Sequence, residues 1–288
     1  MTVSSAAGLI AITHLPSPNM QHGERTYADD DVVDNVVALR QHEAYRDALR
    51  SCGATVVVLD VYRSMPDCVF VEDTSLILDE VAVMMSPGAE SRRGEPIGIE
   101  PTLREYRAIE RVVLPATIDG GDIVRAGRDL YVGASPRTNA AGIDSLREIV
   151  KQYGYSVTAV PVHGCLHLKT ACSALPDGRF LVNANWIDTS PLPRARLVQV
   201  PESEQWSGDV LAIDDKIIAS DAFPETLALL ESAAAVVLPV TVSEYAKVEG
   251  GVTCLSLVFR ASRREISPFS TGATDAHRVI RTQSRGAR

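Results

Sequence analysis

Five times along the chain a short apolar strand gives way to a polar loop and then to a second apolar segment, at intervals of roughly 40 to 55 residues. The leading strands are Val56–Leu59, Val112–Pro115, Val157–Pro161, Leu197–Pro201 and Val236–Pro239. The following segments are Cys68–Leu78, Asp122–Val132, Cys172–Val182, Val210–Ala219 and Thr253–Phe259. Turn signals break several of these (Asp79-Glu80, Ala126–Asp129, Pro176–Gly178, Asp214-Asp215), so they read as hairpins. Such a repeat suggests a propeller or closed array, because one unit alone cannot bury both of its faces; the plainer reading is an α/β protein with irregular repeats and no common site.

Helical patterns precede several of the leading strands. Residues 31–52 carry Val33, Val36, Val37 and Leu49 after an Asp-rich start, with Gly53 as a stop. Residues 139–153 present Leu146, Ile149, Val150 and Tyr153 before Gly154, and Pro224-Glu225 opens a helix through Leu227, Leu230 and Ala234. Thr102 and Glu105 have capping-box spacing, which predicts a short helix through Glu110. In a ring of such units the loops Asp67–Asp73, Asp119–Asp122, His163–His167 and Glu249–Cys254 are equivalent and gather at one mouth. Residues far apart in sequence can therefore meet there.

With 288 residues, 45% of them hydrophobic, the chain can bury a full core. No apolar run reaches the roughly 18 residues of a membrane span, and Met1–Ser5 lacks the basic start of a secretory signal. Five cysteines, odd in number and without Cys-x-x-Cys spacing, favour reduced thiols in the cytoplasm. A net charge of -9 argues against nucleic acid and suits a cationic small molecule. No strand leads into a Gly-x-Gly-x-x-Gly turn, so no nucleotide cofactor is expected. Residues 1–260 read as one catalytic domain. Residues 261–288, rich in Arg, Ser and Thr, read as a mobile polar tail.

The chemistry-bearing residues lie on those loops. Cys254 follows Gly250-Gly251, Asp119 precedes Gly120-Gly121, and His167 stands in Leu166-His167-Leu168-Lys169. A thiol, an imidazole and a carboxylate on separate loops are the parts of a cysteine-nucleophile enzyme. Each has a plainer reading. A histidine between leucines is commonly structural, Glu72-Asp73 can be a solvated turn, and Arg92-Arg93 after Pro87-Gly88 looks like an exposed loop tip. His163, Cys165 and His167 alternate as metal ligands on one strand face do, yet no fourth ligand follows, and no metal is expected.

Six motifs in order carry a resemblance. They are Pro66–Asp73, Pro87–Arg93, Asp119–Asp122, Arg137-Thr138-Asn139, Leu166–Lys169 and Thr253-Cys254. Together they resemble the dimethylarginine dimethylaminohydrolases of the guanidino-modifying pentein superfamily, over roughly residues 8–260. The resemblance implies an α/β fold, a five-bladed α/β propeller of ββαβ-type units with pseudo-fivefold symmetry, in agreement with the five units in the sequence. It implies hydrolysis of Nω-methylated arginine to citrulline and an alkylamine, without a cofactor, by a monomer or homodimer. It places Cys254 as nucleophile, His167 as general acid and base, and Asp119 as the group that orients His167. Glu72 and Asp73 would grip the guanidinium. Asp67, with backbone carbonyls near Leu15 and Val248, would meet the α-ammonium, and Arg92, on a flap over the site, and Arg137 would clamp the α-carboxylate.

Those roles make chemical sense. A guanidinium is delocalised and stays protonated, so its carbon is a poor electrophile until carboxylates fix it against a sulfur. The bound cation also favours thiolate over thiol. Free arginine is an alternative substrate for the same machinery, as in a deiminase or amidinotransferase, and a non-catalytic binding protein on the same ring is another. Two departures from the family pattern stand out: Glu249, where many relatives have aspartate, and the Arg-rich tail.

Overall fold

The computed structural model describes residues 8–27, 31–232, 236–261 and 278–280, which build five small sheets. The chain opens with β1 (Leu9–His14), crosses through α1 (Asn35–Ser51) and returns as β2 (Thr55–Leu59), parallel to β1. Next come the antiparallel hairpin β3 (Ser75–Ile77) and β4 (Val81–Met84), the helix α2 (Glu95–Leu103), and β5 (Ala108–Arg111) parallel to β4. The pattern repeats with β6 (Ile123–Ala126), β7 (Asp129–Ala134), α3 (Ala140–Lys151) and β8 (Ser156–Pro161). After the single turn α4 (Leu168–Ala171) it runs through β9 (Cys172–Ala174), β10 (Phe180–Val182), a 3₁₀ turn at Arg194–Arg196 and β11 (Leu197–Gln199). The next unit is β12 (Leu211–Ile213), β13 (Lys216–Ser220), α5 (Pro224–Ser232) and β14 (Val236–Val240). Past α6 (Ser243–Ala246), β15 (Leu257–Arg260) pairs antiparallel with β1, Leu9 opposite Arg260. The last ββαβ unit is thus completed by the first strand of the chain, which closes the ring.

Alternation along the middle strands explains why the ring holds. In β1, Leu9 and Ala11 join one core cluster with Ile213 and Ile218, while Ile10 and Ile12 join another with Ile77 and Met84. In β7, Leu130 and Val132 face the sheet before, and Tyr131 faces Phe180 of the sheet after. In β10, Leu181 leaves that cluster for one shared with Ile217 and Ala219. Five clusters therefore each glue two neighbouring sheets, and every middle strand is apolar on both faces. Burying one such Leu or Ile stabilises the fold by about 1.5–3 kcal/mol.

The helices plug the rim. α1 starts at Asp34, whose side chain accepts from the N–H groups of Val36 (2.8 Å) and Val37 (3.1 Å), and ends before Gly53 at φ 87°. Its buried face is Ala38, Gln41, His42, Tyr45, Arg46 and Leu49, at the spacing of one helix face. Val36 of the expected apolar stripe is exposed. α3 is capped by Asn139 and buries Leu146 and Val150 as anticipated, together with Ile143, while Ile149 and Tyr153 are partly buried.

Two expectations need correction. The Thr102–Glu105 box does not open a helix: α2 ends at Leu103, and residues 108–111 are strand. The leading strand placed at Val112–Pro115 lies four residues earlier, with Val113 and Leu114 exposed. Burial of Ile99 and Leu103, one helical turn apart, outweighs the cost of Pro101 inside α2. Of the expected tail, Ala261 is buried and bonded to Gly8, and β16 (Arg278–Ile280) pairs in parallel with Val57–Leu59. The remaining tail residues, 262–277 and 281–288, lie outside the described residues.

The architecture fixes where function can sit. The second and third strands of every unit are parallel, so the loops leaving both strands exit at the same end of the sheet. The loops after the third strands, 60–74, 112–122, 162–171, 200–210 and 241–256, form five equivalent rims.

Candidate active site

Each rim contributes one or more polar groups to a common site. Asp119 is fully buried at the end of the second rim; its Oδ2 lies 3.0 Å from His167 Nε2, and its Oδ1 accepts from the Gly88 N–H at 2.9 Å. The other ring nitrogen, His167 Nδ1, lies 3.9 Å from Asp73 Oδ1, which accepts from the Gly121 N–H at 2.9 Å. Gly121 is forced by this packing: a Cβ there would sit 2.7 Å from both Asp73 Oδ1 and His167 Nδ1. Gly120 is tighter still, its Cβ position only 2.0 Å from the Glu72 carbonyl oxygen. Burial pulls the His167 imidazole down, but Asp73, the bond to Asp119 and Asp122 together lift it to about 9. Burial lifts Asp73, and the charges of His167 and Arg92 overcome it, bringing it to about 2. The site thus holds a protonated imidazole facing the ionised Asp73 carboxylate at neutral pH.

Asp122 braces this arrangement from behind. Its carboxylate accepts from Ser135 Oγ and Thr138 Oγ1, each at 2.6 Å, and from the Leu168 N–H at 2.9 Å, so it pins the backbone next to His167.

Glu72 and Thr253 join the first rim to the last. Glu72 accepts from Thr253 Oγ1 at 2.7 Å and from Lys169 Nζ, which also reaches the Gly120 carbonyl at 3.3 Å. Burial raises the Glu72 carboxyl, while Lys169 and Thr253 pull against that rise. Cys254, next to Thr253 and partly buried, accepts from the Gly251 N–H at 3.4 Å through its sulfur. Desolvation, followed by the charges of Asp209, Glu72 and Asp73, pushes the thiol well above its usual range. The nucleophile candidate and the imidazole therefore flank one adjacent carboxylate pair, Glu72 through Thr253 and Asp73 through the ring.

The remaining expected residues line the flank. Asp67 is buried and accepts from the Glu24 N–H at 3.1 Å; its Oδ1 lies 2.4 Å from where a Gly23 Cβ would be. Arg137, also buried, lies 4.0 Å from Glu24, which Ser91 Oγ bonds as well. The Leu15 carbonyl accepts from His14 Nδ1 at 2.7 Å, and Leu15 and Val248 pack in the same cluster as Cys254. Arg92 corrects the exposed-tip reading: it is 5% exposed. It bonds Asp73 at 2.5 Å, Glu95 at 2.7 Å and the Phe70 carbonyl at 3.1 Å. It braces a site carboxylate here instead of presenting a free guanidinium from a flap.

The alternating trio His163, Cys165 and His167 does not converge. His163 bonds the Asn185 carbonyl at 3.1 Å and Cys165 is buried in the core, while His167 turns to Asp119. A different trio, Asp73, Asp119 and His167, has its ligand atoms within 4.8 Å of one another. Its oxygens already accept from Arg92, Gly121 and Gly88, and Arg92 supplies a counter-charge.

Sequence reasoning missed Asp209, Glu95 and Glu24. Asp209 sits in the fourth rim, 3.9 Å from Cys254 Sγ, and accepts from the Thr253 N–H at 3.0 Å. Its signal was positional: Asp73, Asp122 and Asp209 all stand just before the first strand of a sheet.

A closed ring of five units, four of them ββαβ and one with a 3₁₀ turn in the helix position, with a thiol, an imidazole and paired carboxylates at one mouth, is a pentein-type α/β propeller. A family profile described as N,N dimethylarginine dimethylhydrolase, eukaryotic, matches residues 19–175. The N(G),N(G)-dimethylarginine dimethylaminohydrolase of Streptomyces coelicolor is 38% identical over 251 residues, which is 87% of this chain and 96% of that protein. That of Pseudomonas aeruginosa is 34% identical, over 78% of this chain and 90% of its own. A solved structure of a mutant of the Pseudomonas aeruginosa enzyme complexed with citrulline superposes with a TM-score of 0.82. It is 32% identical and covers 88% of this chain and 100% of that chain. The N-terminal domain of ArgZ, an arginine dihydrolase from Cyanobacteria, shares the fold with a TM-score of 0.78 at 19% identity, over 87% of this chain and 97% of its own. The chain belongs to the dimethylarginine dimethylaminohydrolase family.

Proposed function

We propose that this protein hydrolyses Nω-methylated arginine, asymmetric dimethylarginine or monomethylarginine, to L-citrulline and dimethylamine or methylamine, through a covalent thiouronium on Cys254. The observation that carries this reading is that Thr253, next to Cys254, bonds Glu72 while the His167 ring faces the neighbouring Asp73. A guanidinium laid against those two carboxylates sits between a sulfur and a proton donor.

The chemistry follows from the charges. Without substrate the sulfur stays a thiol, because burial, and then the carboxylates around it, oppose a negative charge there. A cation against Glu72 and Asp73 cancels that opposition, and the thiolate attacks the central carbon. His167, held protonated and oriented by Asp119, gives its proton to the departing amine, then takes one from the water that attacks the thiouronium. Asp67, Arg137 and the carbonyls near Leu15 and Val248 serve the amino-acid end of the substrate. Arg92 joins them by releasing Asp73 as the guanidinium takes its place. No step calls for a metal or cofactor. The catalytic unit is residues 1–260, acting in the cytoplasm as a monomer or homodimer. Among the described residues no helix is long and apolar enough to cross a membrane.

Amine and citrulline release should be profiled over asymmetric dimethylarginine, monomethylarginine and arginine. Citrulline with dimethylamine from the first supports the reading. Ammonia from arginine, with no citrulline from dimethylarginine, replaces it by a deiminase.

A further inference from the structure

We infer that Asp209 is the base that takes the proton from the Cys254 thiol when the cationic substrate binds, and the acid that returns it at the end of the cycle. The inference rests on the proposed cysteine hydrolase activity and adds a residue to it.

His167 is badly placed for this task. It already carries a proton, one of its nitrogens is bonded to Asp119, and the other faces Asp73. Asp209 is well placed. Its Oδ2 lies 3.9 Å from Cys254 Sγ, within reach of an S–H donor, and the sulfur receives the Gly251 N–H from another direction at 3.4 Å. The sulfur therefore lies between a proton acceptor and an amide that steadies a thiolate. The nucleophile loop is folded around this carboxylate. Thr253 N–H donates to Oδ1 at 3.0 Å, and a Cβ on Gly251 would fall 2.0 Å from Oδ2, so only glycine fits there.

Thr253 provides the sharper argument. Its hydroxyl has one hydrogen, and the closer acceptor is Glu72 Oε2 at 2.7 Å; Asp209 Oδ2 lies 3.3 Å away. With that hydrogen given to Glu72, a hydroxyl lone pair faces Asp209. The 3.3 Å contact becomes a hydrogen bond only when Asp209 carries a proton, so a place for the proton is already built. Burial and the nearby Glu72 lift the Asp209 carboxyl to about 7, with Thr253 and Lys169 pulling against them, so it exchanges a proton at neutral pH. The titratable groups facing the pair are Glu72, Asp73, Lys169 and Tyr45.

The step balances. The S–H bond breaks, its proton bonds to Asp209 Oδ2, and the electron pair stays on sulfur to form the C–S bond. When water has added and the C–S bond breaks, the pair returns to sulfur and Asp209 gives the proton back. The protonated urea formed as the C–S bond breaks gives its extra proton to bulk water, where the amine released in the first half of the cycle becomes an alkylammonium ion.

The test is Asp209→Asn, which keeps an acceptor for the Thr253 N–H, assayed for citrulline from asymmetric dimethylarginine across pH. The expected result is a kcat lower by on the order of 100-fold at pH 7, with log kcat climbing as pH rises because bulk base replaces the lost group. Asp209→Ala serves if the first variant folds poorly. Asp209 lines a cavity of about 560 Å³ that also touches Trp206, Phe223 and Gly250, so added formate can reach the space that Asp209→Ala vacates. Formate should restore at least tenfold in kcat to Asp209→Ala and nothing to Asp209→Asn, a pattern that a purely structural role does not produce. Citrulline from the parent chain with Asp209→Asn within twofold at every pH, or no response of Asp209→Ala to formate, overturns the role of Asp209 alone. Absence of citrulline from the parent chain overturns the proposed activity and this inference with it.

Discussion

Thr253 Oγ1 donates to Glu72 Oε2 at 2.7 Å, a side-chain bond between loops 181 residues apart in sequence. It ties the turn carrying the thiol to the carboxylate expected to hold the guanidinium, so the sulfur and the cation site move as one body. Thr253→Val conserves volume and removes the bond. It should cost about 1–3 kcal/mol of stability in denaturant unfolding, since a buried carboxylate loses a donor. KM for dimethylarginine should rise, because Glu72 is no longer held. An unchanged KM would mean that Glu72 does not touch the substrate.

His167 makes stability depend on pH. Its folded value of about 9 stands above the ordinary 6.5, so the folded state holds that proton more tightly than the unfolded chain. The stabilisation is fully present below about 6.5 and is lost as pH rises through about 9, on the order of 3 kcal/mol in all. The depressed Asp73 carboxyl is the same interaction seen from the other partner and adds no second increment. Melting temperature should fall across that window in the parent and stay nearly flat in His167→Gln. An equal fall in both would remove the ion pair from the account. Activity should decline on the same alkaline limb, where the proton for the leaving amine is gone.

Cys254→Ser should cost at least about 1000-fold in kcat while leaving substrate affinity within a few fold, because the cation site lies on Glu72 and Asp73. Calorimetric titration with dimethylarginine reads the affinity, and mass spectrometry of a quenched reaction reads the adduct on the parent thiol. Persistent turnover in the serine variant removes Cys254 from the nucleophile position.

How much of this was legible in the sequence depended on which face of an element met what. The middle strands were plain because both faces are buried, as with Leu181 between Phe180 and Val182. Among the described residues third strands other than β2 lie at sheet edges and need not be apolar, so Ala108–Arg111 was passed over for the exposed Val113 and Leu114 nearby. Cys254, His167 and Asp119 stood out because each has glycines or leucines fixing its loop. Asp209 lies in Ser207-Gly208-Asp209-Val210, where a single glycine is a weaker mark than the paired glycines of the other loops, and its place before β12 is the further sign. Arg92 was misread for a simpler reason. A sequence shows that a charge sits on a loop, but not that the loop turns it inward onto Asp73 and Glu95.

Gly121 tests how closely the site tolerates displacement. An added methyl group would collide with Asp73 Oδ1 and His167 Nδ1, each 2.7 Å away, so one of them must shift. Gly121→Ala should reduce kcat by about 100-fold, the usual consequence of misplacing an acid by an ångström. The stability loss should be about 1–3 kcal/mol, enough to see and too little to unfold the chain. A variant that melts as predicted yet turns over normally would show that the His167–Asp73 contact is dispensable.

Glu249 holds the loop next to the site by a longer arm. Its Oε1 accepts from the Thr26 N–H at 2.5 Å and from the Tyr27 N–H, although its own backbone stands at φ 63°, a conformation L-residues avoid. That strain, on the order of 1 kcal/mol, is tolerated because the residue carries a contact that matters. The loop it holds includes Glu24, whose N–H is fixed by Asp67 and whose carboxylate meets Arg137. Glu249→Asp withdraws the acceptor by one methylene and so loosens Glu24 away from the groups expected to bind the amino-acid end. KM should rise about tenfold with kcat little changed, the signature of lost uniform binding. Glu249→Gln, which keeps the oxygen at the same reach, should stay close to the parent. If the glutamine and aspartate variants lose activity equally, the charge of Glu249 matters and its reach does not.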